Sequence, residues 1–281
     1  MLFPLNVKIQ CPMKMFGFEV RRQPRLSAPH KVGLALSGGG ARGFAHCGAI
    51  QAMLEVGLRP DVIAGVSAGS VVAVMHAAGI PPRDMLDLFL ELKFNDLAKW
   101  TIPTDGFFLL DRFQDFLRRN IPYQRLEQLP IPTTVCATNF ETGRKVAFTQ
   151  GDIAEVVSAS CCIPIVFSPV VIDGDRYVDG GVLANLPAWA IRDKCQFLVG
   201  VNCSPATKRP RAKDNIVQIA LRSYEMMSKN NSVADMESCD MLINTTRIAS
   251  YKTFDLRRIQ SVYESGYRTT MDYFRSRGNN V

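Results

Sequence analysis

The chain has 281 residues, 47% hydrophobic and 21% charged, with 33 Lys and Arg against 26 Asp and Glu for a formal net charge of +7. That balance excludes a disordered chain, and the length suits one large α/β domain burying roughly three quarters of its unfolded surface. The basic surplus is moderate and not interleaved with aromatic residues; it argues against a nucleic-acid face and suits an anionic lipid surface better.

Eight cysteines form no C-x-x-C pair, so no disulfide framework is expected, and adjacent Cys161 and Cys162 read as small buried hydrophobes. Reduced thiols point to a cytoplasmic chain. The first thirty residues lack the apolar run and cleavage site of a secretory signal. Membrane contact is expected to be peripheral.

Residues 1–30, with the basic cluster Arg21-Arg22-Gln23-Pro24-Arg25, read as an extension before one domain at 31–281. Lys31 to Ser37 then predicts a strand running into Gly38-Gly39-Gly40-Ala41-Arg42-Gly43 and a helix to about Val56. This loop satisfies G-x-G-x-x-G, the pattern of a dinucleotide site. The acidic residues that follow, Glu55 and Asp61, do not close a second strand in the way that site requires.

The next strand, Asp61 to Ala64, leads into Gly65-Val66-Ser67-Ala68-Gly69. A serine boxed by small residues between a strand and a helix is the pattern of a nucleophile elbow, whose strained turn tolerates no bulky neighbour. Ser70 to Ala78 predicts the helix that follows. Val62 to Pro82 carries no Asp, Glu, Lys or Arg and has nearly the length of a membrane span. Its glycines, Ser67, Ser70 and His76 fit a strand, an elbow and a core helix better.

Two loops ending neighbouring strands would lie side by side. One supplies Ser67; the other aims the N–H groups of Gly39 and Gly40 at an oxyanion. Arg42 would reinforce that loop by its charge or anchor it.

Asp84 to Lys93 predicts an apolar helix, and Phe107 to Leu110 with Asp111 to Asn120 a second amphipathic segment that would cap a lipid site or pack in the core. Thr133 to Thr138 and Lys145 to Thr149 read as strands, with Asp152 capping a helix to Ser160. Val170 to Ile172 and Arg176 to Val178 flank the tight turn Asp173-Gly174-Asp175. Gln196 to Asn202 predicts a buried strand, Ile216 to Met227 a helix, Met241 to Asn244 a short strand and Ser261 to Phe274 a closing helix. The basic run Lys208-Arg209-Pro210-Arg211-Ala212-Lys213 reads as a solvated loop. Alternating strands and helices of this kind predict a three-layer α/β/α sandwich on a mostly parallel sheet.

A serine nucleophile needs a base. The order Ser, acid, His is excluded by counting, because the only histidines are His30, His46 and His76 and none follows the elbow at useful distance. A carboxylate acting directly on the serine is the economical alternative. Asp105, Asp173 and Asp179 each precede a glycine. The first two sit in polar turns, whereas Asp179 follows an apolar strand and precedes Gly180-Gly181, which allow close approach. A carboxylate in a dry place has a raised pKa and accepts a proton better.

The three ordered motifs, Gly38 to Gly43, Gly65 to Gly69 and Asp179 to Gly181, together with Ser158 to Pro164 and Phe167, resemble the patatin-like phospholipases, in particular their short bacterial members. The resemblance covers residues 31–205. It implies a lipid acyl hydrolase that cleaves phospholipid, lysophospholipid or simple acyl esters with a Ser67–Asp179 dyad and no metal or cofactor. The glycine loop, Gly38, Gly39 and Gly40 with Arg42, would be the oxyanion hole; Gly43, Gly65, Gly69, Gly180 and Gly181 would shape the motifs. Where many plant members carry Asp before the glycines, this chain has Ser37. An acyltransferase using the same acyl-enzyme, or a weakly active regulatory protein on the same scaffold, are the alternatives. Head group, oligomeric state and regulatory partner are not legible.

Overall fold

The structure is a computed structural model. It describes residues 13–15, 18–20, 27–101, 105–205 and 215–278. The basic clusters at 21–25 and 208–213 lie outside the described residues. Ahead of the domain, β1 (Met13–Met15) and β2 (Phe18–Val20) pair antiparallel.

The domain is built on an eight-stranded sheet. β3 (His30–Leu36) starts it and is followed by α1 (Phe44–Glu55). β4 (Val62–Val66) and α2 (Ala68–Ala77) come next. All five residues of β4 are buried, as expected of a strand covered on both faces, and such strands read as continuous apolar runs. Val62 to Pro82 is thus a strand, an elbow and a helix. No helix among the described residues is long and apolar enough to cross a membrane.

A peripheral segment follows: α3 (Pro82–Leu90), α4 (Phe94–Leu97), β5 (Lys99–Trp100), β6 (Gly106–Leu109) and α5 (Asp111–Asn120). Here the expectation at Phe107 to Leu110 is corrected in kind. Those residues do not continue an amphipathic helix; Gly106–Leu109 is the middle strand of a separate three-stranded sheet with β5 and a later strand, β9 (Ile165–Phe167). Two phenylalanines in succession suit a strand, and Gly106 is required because a Cβ there would collide with the backbone of Phe167 and Ser168.

The chain returns to the main sheet with β7 (Thr133–Asn139) and β8 (Arg144–Phe148), then α6 (Ile153–Cys161), whose first turn is capped by the Asp152 carboxylate accepting from Glu155 N–H at 2.9 Å. β10 (Val170–Ile172) and β11 (Asp175–Asp179) form the expected hairpin, with Asp173 at φ 53° and Gly174 at φ 88°, the left-handed pair of a type I′ turn. α7 (Ala188–Ile191), β12 (Cys195–Asn202), α8 (Ile216–Asn230), α9 (Val233–Ser238), β13 (Met241–Asn244) and α10 (Ile259–Gly278) complete the chain.

The sheet order is β10-β11-β7-β4-β3-β12-β13, with β8 paired to β7. β7, β4, β3, β12 and β13 are mutually parallel, and β8, β11 and β10 join through antiparallel pairings. From β3 the chain builds outward to β4 and β7, then returns to the other side with β12 and β13. β3 and β12 therefore flank the point where strand order reverses, which in open α/β sheets opens a crevice at the carboxyl ends of the strands. α1 and α10 pack together on one face, α7 and α9 on the other. Away from the crevice, Arg192 and Asp240 form a buried ion pair at 2.6 Å, and Leu198 N–H completes the carboxylate at 2.7 Å.

Candidate active site

Ser67 sits between β4 and α2 with φ 52° and ψ −127°, a strained conformation for a residue with a side chain. Its small neighbours make the turn feasible. A Cβ on Gly65 would meet the backbone of Gly69 and Ser70, and one on Gly69 would strike the Leu36 and Ser37 carbonyls. The elbow is braced from α6: Ser67 N–H donates to Ser160 Oγ at 2.8 Å, and Ser160 Oγ–H donates to the Cys136 carbonyl at 2.6 Å. Ser70 Oγ–H holds the Ser67 carbonyl at 2.6 Å.

Strand register brings the carboxylate to the serine. Val66 pairs with Cys136 of β7, and Asp179 pairs with Ala137, the next residue along β7. Ser67 follows Val66, so it and Asp179 reach the same level on opposite sides of β7. Asp179 is fully buried, and its Oδ1 accepts from Gly181 N–H at 2.8 Å. Its Oδ2 has no hydrogen bond of good geometry among the described residues, although the Ser67 and Tyr224 hydroxyls are near enough to act on the carboxylate. Burial pushes its pKa up to about 6; the Gly181 N–H and those two hydroxyls oppose the rise. By contrast Asp105 and Asp173 are exposed.

The histidines do not reach the serine. His46 is fully buried; its Nε2–H donates to the Ser37 carbonyl at 2.7 Å and its Nδ1 accepts from the Cys203 thiol at 3.3 Å. Desolvation lowers its pKa to about 4, so the neutral ring braces the glycine loop from behind. His76 is lowered to about 4 by burial as well.

The glycine loop presents two N–H groups rather than three. Gly38 N–H is taken by the Asn185 carbonyl at 3.0 Å. The Gly38 carbonyl accepts from Ser204 Oγ–H at 2.8 Å and Ser37 Oγ–H at 3.0 Å, and the Gly39 carbonyl accepts from Arg42 Nε–H and Arg42 N–H, both at 3.3 Å. In a trans peptide the N–H points opposite to the carbonyl. Fixing these two carbonyls therefore turns the N–H groups of Gly39 and Gly40 to the other side of the loop. Gly40 has φ 57°, and a Cβ there would collide with Thr253, so only glycine fits. Arg42, buried, also donates from Nη2 to Thr253 Oγ1 at 3.3 Å, and in these contacts it is an anchor.

An apolar cavity of about 150 Å³ opens at Ser67. α1, α2 and the peripheral segment wall it, with Val72, Phe89, Ala98, Phe113 and Phe167 among the lining side chains. Cys161 also lines it, and burial pushes the thiol pKa of both Cys161 and Cys162 upward. The seven described cysteines are all free thiols.

Sequence reasoning singled out Ser67, Asp179 and the loop, which the structure brings together at one crevice, but gave no role to Ser160, Asn185, Tyr224 and Thr253, which surround them. The Ser158 to Pro164 run was singled out without a role for Ser160. Tyr224 and Thr253 lie beyond residue 205 in helix and loop, where no spacing marks them.

A sandwich of this topology, with a serine elbow and a carboxylate at one crevice, defines the class. Residues 34–191 match the family profile described as patatin-like phospholipase. The chain belongs to that family. It is 31% identical over 238 residues to an uncharacterized NTE family protein of Mycobacterium tuberculosis, covering 78% of this chain and 62% of the relative. A lysophospholipase of Kluyveromyces lactis is 23% identical over 286 residues, covering 90% of this chain and 20% of that protein. The chain thus spans less than two thirds of the length of these relatives. Among solved structures, VipD from Legionella pneumophila shares the fold with TM-score 0.51 at 17% identity, covering 97% of this chain and 72% of that one.

Proposed function

We propose that the chain is a serine lipid acyl hydrolase working through a Ser67–Asp179 dyad. The observation that carries this reading is a strained serine placed between an apolar cavity and a buried carboxylate on which its own hydroxyl acts. The acyl chain lies in the cavity with its carbonyl at Ser67. Asp179 takes the hydroxyl proton as Ser67 Oγ attacks the carbonyl carbon, and the Gly39 and Gly40 N–H groups hold the oxyanion. Protonated Asp179 then gives its proton to the departing alkoxide, leaving an acyl-enzyme. Water deacylates it by the same route in reverse. Family membership and a lysophospholipase among the relatives support the substrate class.

Labelling with a fluorophosphonate, which traps activated serines, tests the dyad. The wild type is expected to label, Ser67→Ala not at all, and Asp179→Asn far more slowly. Undiminished labelling of Ser67→Ala would overturn the assignment.

A further inference from the structure

A second, smaller cavity of about 30 Å³ also borders Ser67. It shares Gly40, Ser67, Ile163 and Thr253 with the apolar cavity. Its remaining walls differ: Arg42, Asn185, Ser204, Glu225 and Lys229 bring polar and charged groups. If the acyl chain fills the apolar cavity, as the proposed function requires, the alcohol portion of the ester projects into this one. The cavity takes one polar group, not a second chain.

The charged groups that line the cavity are not all paired among the described residues. Glu225 is engaged on both oxygens, accepting from Thr253 Oγ1 at 3.2 Å and pairing with Arg222 at 3.1 Å. Arg42 spends Nε and Nη2 on the loop, and its Nη1 has no partner among the described residues. Lys229 is half-buried and has neither an ion pair nor a hydrogen bond among the described residues. Arg42 and Glu225 line the same cavity. Arg42 and Lys229 thus line the cavity beside one carboxylate already in use. Burial and the neighbouring cations lower the Lys229 pKa, as expected where a counter-ion is missing.

We infer that Lys229, with Arg42 beside it, binds a phosphate carried by the leaving alcohol, so that Lys229 sets the preference for phosphate-bearing over neutral acyl esters. The inference rests on the proposed function. An apolar and a polar cavity bordering one serine orient such a substrate, the chain in one and the phosphate in the other.

Two esters with the same acyl chain separate the possibilities: 1-acylglycerol 3-phosphate and neutral 1-acylglycerol. A charge-assisted hydrogen bond contributes roughly 1.5–3 kcal/mol, so Lys229→Met is expected to lower the ratio of kcat/KM, phosphate ester over neutral ester, about tenfold to hundredfold, chiefly through KM. Lys229→Arg keeps most of the ratio. An unchanged ratio in Lys229→Met overturns the inference, while loss of the dyad reading would appear as wild-type turnover of neither ester.

Binding without turnover gives an independent readout in the Ser67→Ala protein. Glycerol 3-phosphate should raise its thermal midpoint, glycerol should not, and adding Lys229→Met should abolish the rise. An equal rise with inorganic phosphate would assign the pocket to free anions and overturn the leaving-group role. A rise that survives Lys229→Met, or no rise at all, overturns it also.

Discussion

The two cavities that meet at Ser67 are built from different parts of the chain by different physics. The apolar one is walled mainly by α1, α2 and the peripheral segment from α3 to α5, all before residue 121, and draws its affinity from non-directional burial of hydrocarbon. The polar one is closed by residues after 184, in the turn before α7, the end of β12, α8 and the Thr253 loop, and depends on a few charges at fixed places. On the proposed function, the dyad and the glycine loop between them should act on every ester alike, so chemistry and selectivity should be separately mutable.

The largest break is at the shared centre. Asp179→Asn removes the base, and its hydrolytic rate should fall by about 10²–10⁴ on every ester, whichever cavity the ester exploits. Wild-type kcat/KM should be maintained above the Asp179 pKa of about 6 and fall as the pH drops through it, because only the ionised carboxylate takes the serine proton. The same substitution should stabilise the fold. The folded pKa is raised above 3.8, so the ionised group costs stability at pH 8, a cost that shrinks as pH falls through 6 and disappears below about 4. Urea midpoints should therefore favour Asp179→Asn at pH 8, by on the order of 2–3 kcal/mol, and show no advantage near pH 3.5. An Asn variant no more stable at pH 8 would mean that the carboxylate is not strained by burial.

The sheet, the elbow and the carboxylate were legible because each imposes a local sequence demand. A five-residue fully buried strand reads as an apolar run, and the elbow forbids side chains at Gly65 and Gly69. Apolar sequence on one side and glycines on the other favoured Asp179 over Asp105 and Asp173, and the family resemblance resolved the choice. What the sequence did not carry was register: the levelling of Ser67 with Asp179 depends on which residues of β7 pair with β4 and β11. That Gly38 N–H is occupied was hidden for a similar reason, since the Asn185 carbonyl it donates to comes from 147 residues further along the chain. Lys229 is one lysine among 33 basic residues until α8 is docked.

The apolar cavity gives a prediction of intermediate size. Each methylene buried there contributes about 0.8 kcal/mol, so kcat/KM should climb about fourfold per added CH₂ until the cavity is filled, then level off. Ala98 is buried and lines the cavity. Ala98→Leu adds three carbons and should bring the plateau forward, costing long-chain esters on the order of tenfold or more while acetyl esters change little. A uniform loss at every chain length would point to a disturbed fold instead, and would break the assignment of this cavity to the acyl chain.

The smallest effect is expected at Arg42, which anchors the glycine loop and lines the polar cavity. Its Nε–H fixes the Gly39 carbonyl and hence the direction of the Gly40 N–H, while its Nη2 reaches Thr253. Lysine keeps the charge but has no rigid fork to span both acceptors. Arg42→Lys loosens one oxyanion donor without deleting it, so the loss in kcat should be smaller than the 10²–10³ of a removed donor, about tenfold, with similar size on neutral and phosphate esters. Arg42→Gln removes the charge as well and should add a KM penalty confined to phosphate esters. If both variants raised KM for the two ester classes alike and left kcat untouched, Arg42 would be neither aiming the loop nor adding to the positive wall, and the division of labour between the cavities would have to be drawn without it.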